Sequence, residues 1–449
     1  MKLKVLQLLN LIRNKYILSL LSNGINAIIG MLTISVLLRV LSIHDMGVWG
    51  FFFTMLLLGD TLRSGFLATT VVKFYSGASE ERKNQVAGSA WFIAISITVI
   101  LFLINIPAYF VSFYIENESL TLFLKFFGLN YLLSLPFFVA NCLLQAKQRY
   151  DRLLILNLSN QGSFFVFILL LILFGKIHIH TVIYAYLTAN ILSSFIALVM
   201  GWSGLRKLRY KTRKVTREMF DFGKFTVGTT ISASLLTTAD SFIINFFMGP
   251  ALLAIYSAGT KLTQIIEIPM RSFVYTAMPT LAEKYNLGRK SELITVMKRY
   301  IGVFTIAIFP VIILIFIFAD YAILILGGGK YVQTEAPNIL RICMIIAMLY
   351  PAERFFALTL DIIHKPKINF IKVIVMFFVV VITDLLAIHY TDSIYGVAAA
   401  SFFTTLTGLL IAYFALNTHY QKFSLWNIYQ YGYVEVKKLI RTNATRFFG

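Results

Sequence analysis

Charge is scarce in this chain, and acid scarcer than base: only 13% of the 449 residues are charged, with 20 Asp and Glu against 40 Lys and Arg. A soluble protein commits about a quarter of its residues to charge, so this chain cannot furnish the water-facing surface of two or three globular domains. Cysteine is rarer still. Cys142 and Cys343 are the only two and both fall in apolar segments, so neither a disulfide framework nor a CxxC or Cys/His metal pattern is available. They read as small core residues. Nucleotide-binding P-loop, catalytic triad and metal-ligand cluster are all missing from the polar segments, which leaves ATP-driven transport and glycosyl transfer poorly supported. The N-terminal MKLKVLQLLNLIRNKY is basic but runs straight into a long apolar segment with no small-residue cleavage site, so no cleaved signal peptide is expected.

What is present is apolar surface. Hydrophobic residues make up 58% of the chain and the mean hydropathy is +0.79, values of an all-α polytopic membrane protein. The formal charge of +20 would suit a nucleic-acid binder if it were clustered. It is dispersed instead through short loops, the pattern of the positive-inside rule, and no nucleic-acid partner is expected. A helix needs roughly 20 apolar residues to cross the hydrocarbon. By that measure twelve spans are expected, at about 16–40, 46–72, 87–114, 120–145, 153–175 and 180–203, then 222–248, 251–281, 293–319, 333–362, 368–390 and 393–416.

A polar run divides the two sets. Leu205 to Lys224 carries Arg206, Lys207, Arg209, Lys211, Arg213, Lys214, Arg217 and Lys224 against only Glu218 and Asp221, so it cannot lie in a bilayer core. The expected organisation is an N-terminal six-helix lobe (1–204), a cytoplasmic basic connector (205–221), a C-terminal six-helix lobe (222–417) and a basic tail (418–449) on the cytoplasmic surface, attracted to anionic lipid. With the N-terminus cytoplasmic, Lys2, Lys4, Arg13, Lys15, Lys73, Arg82, Lys83, Lys147, Arg149 and Arg152 share that side, as do Lys284, Lys298, Lys365, Lys367 and Lys372. The opposite side receives few cations, among them Arg39, Lys125, Lys176 and Lys330.

The halves repeat in parallel. A shift of about 207 residues brings Trp49 onto Tyr256, Asp60 onto Glu267 and Thr33 onto Asp240, with Arg63 one residue from Arg271. Further along, Pro136 aligns with Pro351 and the basic turn at Arg149 with Lys365. A parallel 6+6 repeat implies two lobes about an axis along the membrane normal, with a substrate path between them.

Polar residues inside spans are costly and mark function by default. In the first span Ser19, Ser22, Asn23, Asn26, Gly30 and Thr33 form one stripe, equally readable as helix packing. The second holds Asp60 and Arg63, three residues apart and able to neutralise each other. The eighth is the most polar, with Thr260, Thr263, Gln264, Glu267 and Arg271 on one face and Lys261 close by. The tenth adds Arg341, which could equally reach to the outer surface, and Glu353 and Arg354 around Pro351, a residue that bends its helix. At about 1.5 Å per residue, Asp240, Asp384, Ser401 and Thr404 share a layer in the outer half of the second lobe. Two carboxylates with hydroxyls at one depth could bind a sodium ion or carry a proton; pairing of Asp240 with a packing donor is the plainer alternative.

Three stretches carry a likeness: LRVLSIHDMGVWGFF between spans one and two, LLQAKQRYDRLLILNLS between four and five, and ADSFIINFFMGPALLAIYSAGTKL across seven and eight. With the twelve-span plan they resemble the multidrug/oligosaccharidyl-lipid/polysaccharide (MOP) exporter superfamily, and within it the Wzx-type O-antigen flippases and polysaccharide biosynthesis proteins. The resemblance implies a V-shaped pair of six-helix lobes, similar to multidrug exporters and lipid II flippases of the superfamily. It also implies movement of an undecaprenyl-diphosphate-linked oligosaccharide, an O-antigen or capsule unit, across the bacterial inner membrane by alternating access. Expected partners are that substrate, membrane lipids and a polysaccharide polymerase complex; no cofactor is expected beyond a coupling Na+ or H+, and lipid II flippases of the superfamily look similar in placing acidic residues in spans seven and eleven.

For such an amphiphile, Arg63, Lys261, Arg271 and Arg354 are the candidate cations, with Asp60 and Glu267 restraining them and Asn26 as a further polar contact. Arg63 and Arg271 are expected to face one cavity. A drug exporter of the same superfamily is the alternative, against which stand the missing acid of span one and the several intramembrane cations. A membrane polymerase or ligase is disfavoured by the short outer loops. Cysteines introduced in the connector and at Asn117 should differ in intact cells: reagent applied from outside labels Asn117→Cys and leaves the connector unlabelled, and the reverse result would invert the topology.

Overall fold

The structure, a computed structural model, describes residues 15–447, and the side chains of residues 24–224, 226–228 and 230–437. The N-terminal cations up to Arg13, the side chains of Ser19, Ser22 and Asn23, and those of Lys438, Arg441 and Arg446 lie outside the described residues. Every long element is helical. In chain order the first are α1 (Lys15–Val40), α2 (Ile43–Tyr75), α3 (Glu80–Val111), α4 (Glu118–Leu133), α5 (Leu135–Ala146), α6 (Tyr150–Asn157), α7 (Ser163–Leu173), α8 (Ile179–Val199) and α9 (Arg213–Phe247). There follow α10 (Pro250–Lys261), α11 (Gln264–Asn286), α12 (Lys290–Ile317), α13 (Ala319–Gly327), α14 (Gly329–Val332), α15 (Ala336–Ala347), α16 (Tyr350–Ile362), α17 (Pro366–Thr391), α18 (Ile394–His419) and α19 (Asn427–Phe447).

Helices stand at all the expected span positions. Among the described residues eight are long and apolar enough to cross a membrane, or ten if each of two bent pairs is one span. The other two expected positions hold α1, whose described apolar part is Gly24–Val40, and the α10 and α11 pair, with its Lys261, Glu267 and Arg271. The chain divides into two compact units, the first running to Ser234 and taking in Gly249–Ala254, the second taking Leu235–Met248 and the chain from Ile255 on.

The two halves share backbone detail that the sequence repeat only outlines. The bent pairs are α4 with α5, at 52°, and α15 with α16, at 46°. In each, proline sits in the first turn of the second helix, Pro136 and Pro351, where its missing N–H cannot continue the ladder. Each pair then ends in a non-glycine residue of positive φ, Gln148 at 53° and His364 at 59°. The next amide reaches back to an orphan helix carbonyl, Arg149 N to Leu144 O at 3.0 Å and Lys365 N to Leu360 O at 2.9 Å. The basic turns matched by sequence are thus one turn geometry used twice.

The connector is more structured than its charge suggests. After a 3-10 turn at Leu205–Tyr210, α9 begins at Arg213, inside the run expected to be solvated up to residue 221. The reason is a spacing hidden among the cations: Val215 and Met219, four apart, are buried against Val86, Ala87, Ala90 and Trp91 of α3. Trp91 Nε1 donates to Ser203 O at 2.7 Å, Thr216 Oγ1 to Ser89 Oγ at 3.0 Å, and Arg82 pairs with Glu218. Gly88 permits the approach, since a Cβ there would lie 2.4 Å from Lys207 O and 2.8 Å from Lys211 N. In the second unit a similar contact seats the tail: a Cβ on Gly302 of α12 would lie 2.6 Å from Gly432 Cα of α19, and Arg299 pairs with Glu435 at 3.2 Å. Gly88→Ala should therefore lift the connector off α3, making Arg206 to Lys211 sensitive to trypsin and lowering the unfolding midpoint. Gly50→Ala, with nothing within 4 Å of the added carbon, should leave both unchanged.

Candidate functional site

In the first unit the intramembrane arginine spends four hydrogen bonds on the protein. Arg63 is 1% exposed. Its Nε donates to Asp60 Oδ1 at 3.0 Å, and Nη2 reaches the same oxygen. Nη1 donates to Tyr131 O at 3.0 Å and Nη2 to Ser134 Oγ at 3.1 Å. The guanidinium also lies 4.6 Å from the Tyr131 ring centroid and 4.8 Å from that of Phe138. All these partners but Asp60 border the break between α4 and α5, so Arg63 fastens the bend that Pro136 creates. Tyr131 is itself fixed, its hydroxyl donating to Leu56 O at 2.9 Å across Gly59, where any Cβ would collide with it. Asp60, 36% exposed at its side chain, keeps Oδ2 outside these bonds. Asn26 has an enclosed Oδ1 with no hydrogen-bond partner among the described residues, and Thr33 bonds back to Ile29 O at 2.7 Å.

A chain of amides in the same unit was not singled out from sequence. Asn160 Nδ2 donates to Asn190 Oδ1 at 2.8 Å and to Ser193 Oγ at 3.0 Å, and Asn190 Nδ2 donates to Asn130 Oδ1 at 2.8 Å. Nearby, Gln145 bonds Asn141 at 2.8 Å and Asn141 bonds Asn157 at 2.9 Å. Residues 158–162 form a single π turn between α6 and α7, which sets Asn157 and Asn160 on their respective faces. The available signal was the run Asn157 to Gln161, NLSNQ, in an otherwise apolar span.

The second unit carries charges of two kinds. Lys372 of α17 is buried and its Nζ donates to Glu353 Oε1 at 2.6 Å; the sequence placed it among the cytoplasmic cations and left Glu353 unpaired. Lys298 of α12 is buried too, at 6% exposure, whereas Arg271 and Arg354 are accessible. Arg271 of α11 is 69% exposed at its side chain and meets Glu267 Oε2 at 3.1 Å. Arg354 of α16, 56% exposed, meets Glu353 Oε2 at 3.5 Å. α11 and α16 are packed neighbours, and Lys261 stands at the break between α10 and α11. Arg341 belongs elsewhere: it pairs with Asp320 and donates to Asn338 Oδ1 at 2.6 Å and Phe316 O at 3.2 Å.

Asp240 and Asp384, on α9 and α17, lie near each other. Two neighbouring carboxylates favour a proton or a cation between them. Tyr256 of α10 donates its hydroxyl to Asp240 Oδ2 and lies beside Ser401 of α18. Asp384 is 0% exposed, and among the described residues neither of its oxygens has a donor; the buried Thr404 Oγ1 likewise lacks a partner there. Orphaned oxygens of this kind fit a hard cation or a shared proton. Among the described residues no group of three or more His, Cys, Asp or Glu could hold a metal ion, so a transition metal has no ligand set here. The repeat partners of Asp240 and Tyr256 differ: Thr33 binds its own helix, and Trp49 lies in an aromatic cluster with Phe53, Phe164 and Tyr186, ring centroids 5.5 to 5.7 Å away. Tyr256 was aligned with Trp49 by sequence without being recognised as a ligand of Asp240.

Several solved structures share this fold. An inward-facing multidrug resistance MATE family transporter of the MOP superfamily is 14% identical, over 93% of this chain and 96% of that one, with a TM-score of 0.72. Lipid II flippase MurJ in an inward closed conformation is 16% identical, over 96% and 93%, with a TM-score of 0.70. A MOP superfamily transporter from Pyrococcus furiosus is 13% identical, over 94% of both chains, with a TM-score of 0.56. No curated protein matches the chain. Residues 12–285, more than half of the chain, match the family described as polysaccharide biosynthesis protein. With its many apolar helices and a fold like that of the MATE and MurJ structures, the chain belongs to the polysaccharide biosynthesis protein family.

Proposed function

We propose that the protein is a flippase for a lipid-linked oligosaccharide, an undecaprenyl-diphosphate-linked unit of O-antigen or capsule, in the bacterial inner membrane. The observation that carries this reading is the pair of accessible arginines on neighbouring helices of the second unit, Arg271 and Arg354, each with one carboxylate contact and further donors exposed. A diphosphate needs several such donors, and guanidinium supplies them in a planar fork. Lys261 adds a point charge at the helix break. Glu267 and Glu353 compete for the arginines and keep affinity low enough for release. In the first unit Asp60 keeps Oδ2 outside the Arg63 bonds, while Arg63 holds the α4–α5 bend beside it. The accessible cations are ill suited to a cationic drug, which weighs against multidrug antiport.

Transport would be driven through Asp240 and Asp384, with Tyr256, Ser401 and Thr404 completing the oxygen set for Na+ or a proton. A cation held in one conformation and released in the other biases alternating access by its differential affinity. In proteoliposomes, Arg271→Gln and Arg354→Gln should each slow movement of the lipid-linked oligosaccharide by about ten- to a hundredfold, the worth of a charged hydrogen bond, with unchanged insertion. Full-rate movement in the double variant would refute the cation role. Asp240→Asn and Asp384→Asn should retain substrate binding and lose the dependence on an imposed Na+ or H+ gradient; gradient dependence equal to that of the unaltered protein in both would remove these residues from coupling.

A further inference from the structure

Beside the docked connector lies a cavity of about 630 Å³, wholly within the first unit. Its mouth is cationic: Lys211, Arg213 and Arg217 line it together with the hydroxyls of Thr212 and Thr216. Its floor is apolar, formed by Ile93, Ile97 and Ile100 along α3 and by Phe220 of α9. Lys211 and Arg213 form no ion pair among the described residues. The acids nearby are engaged: Glu218 with Arg82, and Asp221 with Lys224 at 2.8 Å and with Arg217 at 3.9 Å. The Lys211 ammonium stands 4.1 Å from the Phe92 ring centroid, poised at the boundary between the two parts. Lys211 is level with Gly88 of α3, and Ile100 lies twelve residues beyond it, about 18 Å along the helix axis.

We propose that this groove is a binding site for an anionic phospholipid of the connector-side leaflet. The phosphate sits among Lys211, Arg213 and Arg217, and one acyl chain runs down Ile93, Ile97 and Ile100. Complementarity is the argument: two unpaired cations and a third only loosely paired sit at headgroup depth, directly above exposed apolar side chains, Ile100 at 56% and Phe220 at 48%, on helices that enter hydrocarbon. A soluble anion would use the mouth alone and leave most of the cavity unfilled. A lipid fills both parts and, because the groove is shared by α3 and the start of α9, clips the connector to the first unit. This site is separate from the proposed substrate cations and holds whether or not the flippase reading does.

The test is native mass spectrometry of the full-length protein released from mixed micelles, titrated with phosphatidylglycerol or phosphatidylcholine. One phosphatidylglycerol should be retained in preference to phosphatidylcholine. Lys211→Gln with Arg213→Gln should weaken it about thirtyfold, the loss of two basic residues near an anionic headgroup, while the charge-matched Arg206→Gln with Lys214→Gln retains it. Ile97→Gln, which leaves every cation in place, should weaken it as well. The proposal is overturned if the two charge variants fall equally, since attraction is then diffuse, if glycerol phosphate competes as well as the lipid, or if the unaltered protein shows no preference.

Discussion

A charge or an unpaired backbone group inside hydrocarbon must find a partner within the protein. That constraint explains the most buried chemistry of both units. Proline bends α4 into α5 and α15 into α16, and at each break a buried cation is fastened close by. In the first unit Arg63, from α2, bonds Tyr131 O and Ser134 Oγ at the break. In the second, Lys372, from α17, bonds Glu353 in the first turn after it. The repeat therefore conserves the problem, a bent span, while the residues that answer it differ. Stranding either cation by removing its partners would leave an uncompensated buried charge, a change of about 3–5 kcal/mol.

Once these fasteners are set aside, the most accessible intramembrane cations are Arg271 and Arg354 of the second unit, with Lys261 half-buried at the nearby helix break and the buried Asp384 with Asp240 as a separate oxygen group. The division matters for function because a buried group that spends most of its donors on protein partners has little left to give a ligand. Arg63 uses its donors on Asp60, the α4–α5 break and two aromatic rings; Arg271 has one carboxylate contact and 69% of its side chain exposed. The same reasoning separates Thr33 and Trp49, turned inward to helix and aromatic packing, from Asp240 and Tyr256, which keep a polar site at the matching place of the repeat.

Span positions were legible because a run of apolar residues has one cheap destination, the bilayer, and the proline-marked bends were legible because proline lacks a donor. Three features were not readable. The start of α9 at Arg213 was hidden because Val215 and Met219 are only two residues among many cations, and their burial depends on what α3 offers. The Glu353–Lys372 pair joins different helices, and no spacing rule links residues nineteen apart. The amide chain of Asn130, Asn160 and Asn190 is likewise a tertiary fact, since each asparagine alone is an ordinary packing residue.

The central claim, that intramembrane charges here divide into fasteners and available groups, is tested most directly by the unfolding midpoints of Arg63→Gln and Arg271→Gln measured side by side. The account predicts a loss of at least about 1.5 kcal/mol for Arg63→Gln, which removes buried charged hydrogen bonds, and a change within about 0.5 kcal/mol for Arg271→Gln. Equal shifts in the two variants, or a larger one for Arg271→Gln, would contradict it.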